Sequence, residues 1–273
     1  MSWHRLLQYD LRCGLLRPRY ALIPVFFLLP CLVLLRTLHT AYMEGSWLSY
    51  MMYCFRGKLF MEALFPGLWF VVTGGCLYLN LDYLPKDLTQ TGTQIILRCG
   101  SRVRWFLSKC LWNLLSCCVY SFIAGMTVAA FTHLSGGSLT GITRQVLECA
   151  VFGYEIPCDT TSHEAFTTAV LIPFFTISAL SMVEMTLCLW MKPVMAFMIS
   201  VGMLAAAVFG TLNQFPCVGA VAIRSTVALG EPGLSPAAGM MVAGIGFIAA
   251  AAVGVLRFRR MDIPVSYTHL RAH

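Results

Sequence analysis

The chain has 273 residues, of which 58% are hydrophobic and 11% charged, and a formal net charge of +7. An ordinary soluble domain has roughly a quarter of its residues charged. Here 19 Lys and Arg with 12 Asp and Glu are too few to coat a soluble core of this length, so lipid is expected to cover most of the surface.

The basic excess does not point to nucleic acid. The cations flank apolar runs instead of forming a patch with interleaved aromatics. Nor do twelve cysteines imply a disulfide framework, because Cys31, Cys76, Cys117, Cys118 and Cys188 lie inside apolar runs, where they act as small hydrophobes.

The first element, over 1–20, reads as an amphipathic helix. Trp3, Leu6, Leu7, Leu11, Leu15 and Leu16 recur at spacings of three and four, with Arg5, Gln8, Arg12 and Arg19 largely between them. Such a helix is expected to lie flat on the inner leaflet with its arginines among the headgroups. The alternative is the n-region of a cleaved signal peptide, for which the segment is long.

A hydrocarbon core of roughly 30 Å needs about 20 mostly apolar residues per helix. Six runs qualify. The first is 21–38, interrupted by Pro24 and Pro30, and the second is 63–81. The third, 105–134, carries Lys109 in its opening turns, where it is expected to snorkel to the interface. The fourth, 165–191, is separated from the fifth, 194–212, only by Lys192 and Pro193, and the sixth, 237–256, is rich in Gly and Ala.

Lys and Arg divide thirteen to five between alternate loops, Arg271 completing the nineteen, so the positive-inside rule places both termini in the cytoplasm. The expected fold is all-α: a polytopic integral membrane protein with six transmembrane helices and an N-terminal interfacial amphipathic helix, in one transmembrane domain over 1–264. Residues 265–273, VSYTHLRAH, read as a translated sequencing adapter and are set apart from the fold, so the natural C-terminus is expected to be missing.

The outer loops, 40–62, 135–164 and 213–236, are shorter than the roughly 50 residues of an independent domain. The last suits either a hairpin dipping into the outer leaflet against protein or a simple structured loop. Cys149 and Cys158 share the middle loop with Glu148, Glu155, Asp159, His163 and Glu164. A disulfide or a metal site there lacks specific spacing, and free thiols are the default. Ser138 and His133 lie near each other at a span end, without the buried pairing that serine proteolysis requires.

The most informative segment is 84–109, LPKDLTQTGTQIILRCGSRVRWFLSK. Pro85 is expected to end the preceding helix and Asp87 to N-cap a short helix over 88–98. Cys99-Gly100 would close that helix. Ser101 would cap the next span, with Trp105 at the interface and Arg102, Arg104 and Lys109 at phosphate level. On physics alone this is a positively charged anchor or a short helix pinned beneath the membrane.

The residues Asp87, Leu88, Gly92, Thr93, Leu97, Arg98, Gly100, Ser101, Arg102, Trp105, Ser108 and Lys109, together with the flat first helix and six spans, resemble the membrane permeases of type-2 ABC exporters. The likeness runs from Trp3 to about Arg260. In that family the loop between the second and third spans carries a coupling helix that docks on the ATP-binding subunit. The resemblance therefore implies a partner-coupling site at Asp87, Leu88, Thr93, Arg98, Ser101, Arg102 and Arg104. It also implies re-entrant helices before the last span.

No G-x-x-x-x-G-K-[ST] occurs, because Gly57-Lys58 lacks the upstream glycine and is followed by Leu59. The chain is therefore expected not to be an enzyme and to need no cofactor. ATP hydrolysis would sit in a separate nucleotide-binding subunit, with a second copy of the chain or a related permease completing the complex. The expected location is a bacterial plasma membrane, crossed several times.

Glu184 is the one carboxylate well inside a span. Charge there is costly, and the residue reads either as a pathway or proton-relay group or as a hydrogen-bonding partner of a neighbouring helix. Asp82 and Glu62, at span ends, are expected to be solvated. A non-transporting scaffold or sensor, or a secondary transporter built on Glu184, are the alternatives to the exporter.

Overall fold

The computed structural model describes residues 3–15, 17–58, 65–89, 95–96, 99–156, 161–210 and 217–261. Among them there is no strand, and the chain is a helical bundle. The helices are α1 (Trp3–Leu15), α2 (Pro18–Thr40), α3 (Trp47–Cys54), α4 (Gly67–Asn80), α5 (Tyr83–Thr89), α6 (Arg102–Leu134), α7 (Ser162–Leu187), α8 (Pro193–Phe209) and α9 (Pro236–Arg260).

Four of these, α2, α6, α7 and α9, are long and apolar enough to cross a membrane. The runs expected at 63–81 and 194–212 contain shorter helices, α4 of 14 residues and α8 of 17. The bundle also shows the inverted surface that lipid favours. Leu29 and Leu32 on α2, Phe122 and Met126 on α6, Met195 and Met198 on α8, and Ile245 and Ile248 on α9 are all exposed.

The central element is α7, which packs against α4, α6, α8 and most extensively α9. In α7 67% of the most apolar stretch is buried, against 22% in α9, so α9 is peripheral and mostly turned outward. A capping box starts α7: Thr161 Oγ1 accepts from the Glu164 backbone N–H at 3.2 Å, and Glu164 accepts from the Thr161 N–H at 3.1 Å. A wide π turn at Thr167–Leu171 follows. It lies where the ring of Pro173 would otherwise press on the carbonyl of Ala169.

Small residues let the helices approach closely. A Cβ at Gly254 of α9 would stand 2.4 Å from the Phe106 ring of α6, and Thr186 Oγ1 of α7 donates to the Ala250 carbonyl at 3.0 Å.

The 40–62 loop differs from expectation. Its residues 47–54 form α3, capped by Ser46 and inserted among α2, α6 and α7 with Tyr50, Met51 and Met52 buried. Eight residues fall below the length at which periodicity distinguishes a helix from a buried strand or loop.

Residues 217–229 of the last loop are largely buried against protein, while Glu231, Pro232 and Ser235 are exposed. The Ala222 and Ile223 N–H groups donate to the Phe55 and Arg56 carbonyls at 2.7 and 3.0 Å, and Trp69 Nε1 donates to the Ala220 carbonyl at 2.7 Å. Cys149 is a free, exposed thiol. Cys158 and the adapter-like 265–273 lie outside the described residues.

Two apolar cores result. The larger fills the bundle. The smaller, around Leu6, Leu84, Ile96, Trp105, Met182 and Phe258, sits at the end where α1, α5 and the start of α6 meet.

Candidate functional site

On α1, Leu6, Asp10 and Gly14 are spaced by four and form the buried face that packs against α6. This corrects the expected leucine stripe: the residue at the centre of the contact is charged. Asp10 is fully buried. It accepts from Tyr83 Oη at 2.8 Å, and also from Ser108 Oγ and Lys109 Nζ. Gly14 lies directly over the indole of Trp112, where any Cβ would collide.

Lys109 does not snorkel. It is fully buried and ion-paired to Asp10 and to Asp87, the latter at 2.6 Å. Its ammonium lies 4.7 Å from the Trp105 ring centroid and 4.9 Å from that of Tyr83. Tyr9 Oη donates to Asp87 at 2.8 Å. Two carboxylates and one ammonium, with phenol and serine hydroxyls, thus join α1, α5 and α6. Snorkelling fails because the counter-charges come to Lys109 from sequence positions 22 and 99 residues away, which no local pattern announces.

Asp87 is likewise not an N-cap. The helix break falls at Leu81 and Asp82, Pro85 lies within the first turn of α5, and Asp87 is a buried member of that helix. Asp82 is not merely solvated: it binds Arg19 and Lys86, each at 2.9 Å. Partial burial pushes its carboxyl up, but the two cations outweigh burial and hold it below the usual carboxylate range. Arg19 is therefore engaged by protein, and Arg17 stands 5.1 Å over the Tyr83 ring. Burial holds the Tyr83 phenol far above its ordinary pKa, so it remains a donor to Asp10.

Of the other loop residues, Ser101 caps α6 by accepting from the Arg104 N–H at 3.4 Å, as its sequence position suggested. Gly100 has φ +70°, the left-handed conformation of a helix C-cap. Arg102 donates to the Met261 carbonyl at 2.6 Å and to the Arg259 carbonyl at 3.3 Å, tying the loop to the end of α9. Arg104 is exposed and Leu88 is half-buried against the smaller core. Thr93 and Arg98 lie outside the described residues. Trp105, expected at the interface, is buried and stacked on Phe258 at 4.9 Å.

Deeper in the bundle a chain of polar side chains crosses four helices. Ser116 Oγ donates to Asn80 Oδ1 at 2.5 Å and lies 2.6 Å from Tyr20 Oη. Asn80 Nδ2 donates to Ser181 Oγ at 3.0 Å, and Ser181 Oγ donates to Asn113 Oδ1 at 2.7 Å. One turn beyond Ser181 is Glu184. It is buried, and among the described residues neither carboxylate oxygen has a hydrogen-bond partner, which differs from the expected interhelical bond.

Glu184 borders a void of about 10 Å³ shared with Asn80, Trp112, Asn113 and Ser181, close to the space one water molecule requires. Among the described residues no group of three His, Cys, Asp or Glu is placed to hold a metal ion.

Asp10, Tyr83, Ser108 and Lys109 were not singled out as site residues from sequence. The available signal was a lone Asp at the i+4 position of an apolar helical stripe and a lone Lys inside an apolar run.

Comparison with curated proteins finds no match. Residues 21–264 match the family DUF2705, described as a protein of unknown function, and the chain belongs to that family.

Proposed function

We propose that the chain is the transmembrane permease subunit of an ATP-driven exporter, working with a separate ATP-binding subunit and a second permease copy. In this reading it crosses the membrane six times. The four long helices α2, α6, α7 and α9 are joined by the shorter α4 and α8, and the amphipathic α1 lies along the cytoplasmic face with both termini.

The observation that carries the reading is the buried Asp10–Lys109–Asp87 cluster. It makes α1, α5 and the opening turns of α6 one rigid block at the end of the bundle that holds the 84–109 loop. A docked subunit that moved this loop would move α6 with it, as packed bodies shift in domain closure. Arg102, bonded to the carbonyls of Arg259 and Met261 at the end of α9, would extend that block to the last span.

The test uses the tagged full chain purified from its native membrane. A subunit bearing a phosphate-binding loop is expected to co-purify. Arg98→Glu should release it and abolish ATP-driven export while the amount of inserted chain stays unchanged. Purification without any such subunit, or export unaffected by Arg98→Glu, would overturn the assignment. A secondary transporter is the second reading, favoured by the unpartnered carboxyl of Glu184. The two part on whether flux continues when ATP is absent.

A further inference from the structure

Gly75 lets α4 pack closely in the middle of the bundle. A Cβ there would stand 2.6 Å from the Phe26 ring of α2 and 3.3 Å from Tyr120 Oη of α6. The next residue, Cys76, is thereby set against Cys117 of α6. Their sulfurs lie 3.8 Å apart, and each residue is only 1% exposed.

The surroundings of the pair are polar, although both cysteines come from apolar runs. Asn80, one turn after Cys76 on α4, places its Nδ2 3.9 Å from both sulfurs. That amide is itself held in place, since its Nδ2 donates to Ser181 Oγ at 3.0 Å and its Oδ1 accepts from Ser116 Oγ. An N–H group aimed between two sulfurs is placed to stabilise negative charge that develops on them.

Two sulfurs side by side in a dry interior match a soft metal ion that takes two ligands. Thiolates select such metals, Cu(I) among them. Two metal–sulfur bonds in line, at about 2.3 Å each, span about 4.6 Å, so the pair needs to open only slightly to admit the ion. Structural zinc takes four ligands, and among the described residues no third His, Cys, Asp or Glu stands with the two thiols.

We propose that Cys76 and Cys117 bind a monovalent soft metal ion, Cu(I), between α4 and α6. Binding breaks two S–H bonds, forms two metal–sulfur bonds and releases two protons to the solvent, leaving one negative charge on the pair to face the Asn80 amide. The site rests on the two thiols and not on the exporter reading, so either can fail without the other.

The test uses the full chain in detergent, reduced and held without oxygen, with silver(I) as a redox-inert stand-in for Cu(I). Excess glutathione strips silver from single thiols, and native mass spectrometry counts the ions that remain. Cys76→Ser and Cys117→Ser should each lose one silver ion relative to wild type. The double substitution should lose no more than either alone, because both sulfurs hold the same ion.

A silver count equal to wild type in either single variant would overturn the proposal, as would a double variant that loses two. Displacement of the ion by an equal concentration of zinc would also overturn it, by requiring more ligands than the pair supplies. Should the variants fail to fold, X-ray absorption on the silver-loaded wild type decides. Two sulfur neighbours around the silver support the site, and any other set of neighbours sinks it.

Discussion

Lys109 neutralises one of two buried carboxylates and holds both within reach of α6. Replacing it by Ala leaves Asp10 and Asp87 facing each other without a cation, whereas Asp87→Asn leaves a balanced Asp10–Lys109 pair. Breaking a buried ion pair from one side costs about 3–5 kcal/mol. Lys109→Ala should therefore lower the melting temperature in detergent far more than Asp87→Asn, and adding Asp10→Asn to Lys109→Ala should recover part of the loss. Equal destabilisation by the two single changes would mean that the cluster is not an electrostatic unit. In the sequence Asp10 and Lys109 are charges on apolar stretches, while Asp87 sits in a polar loop and reads as an N-cap. Reading Lys109 as a snorkelling lysine follows the local rule, and the local rule loses because Asp10 and Asp87 arrive from other helices.

Among elements, the legible ones were long. The helices α2, α6, α7 and α9, at 23 to 33 residues, are long enough to cross a bilayer, and each contains one of the apolar runs visible in the sequence. The shorter α3 and the helix break at Leu81 and Asp82 were hidden, because both are set by what packs against them and not by a periodic signal. Which helix is central was also illegible, since α7 and α9 are similarly apolar in sequence while only α7 is enclosed. The close approach of α9 to α6 and α7 rests on small residues. Phe106 is fully buried and stacked on Phe258 at 5.7 Å, so it cannot yield to a new methyl at Gly254. Gly254→Ala should cost about 1–3 kcal/mol, the range for overpacking. At Gly244, where a Cβ meets nothing within 4 Å, the same change should be neutral or gain up to about 1 kcal/mol from helix propensity. Chemical denaturation in mixed micelles separates the two, and similar effects at both sites would refute close packing at Gly254.

At the scale of the whole molecule, α4, a helix of 14 residues, runs away from the charged cluster for about 21 Å at 1.5 Å per residue. A bilayer placed around the exposed apolar side chains of α2, α6, α8 and α9 would then put Cys13 on one side and Cys149 on the other, and both thiols are exposed. In the proposed reading, the excess of Lys and Arg puts the Cys13 side in the cytoplasm. In variants that keep a single cysteine, a membrane-impermeant maleimide should label Cys149 on intact cells. It should reach Cys13 only after the membrane is opened. Cys118, exposed midway along α6, should stay unlabelled in both conditions because lipid and not water covers it. Labelling of Cys13 and Cys149 from the same side would require an odd number of crossings fewer or more between them. The 84–109 loop could then no longer be placed with α1 facing an ATP-binding partner, and the exporter reading would lose its geometry while the helical bundle itself stood.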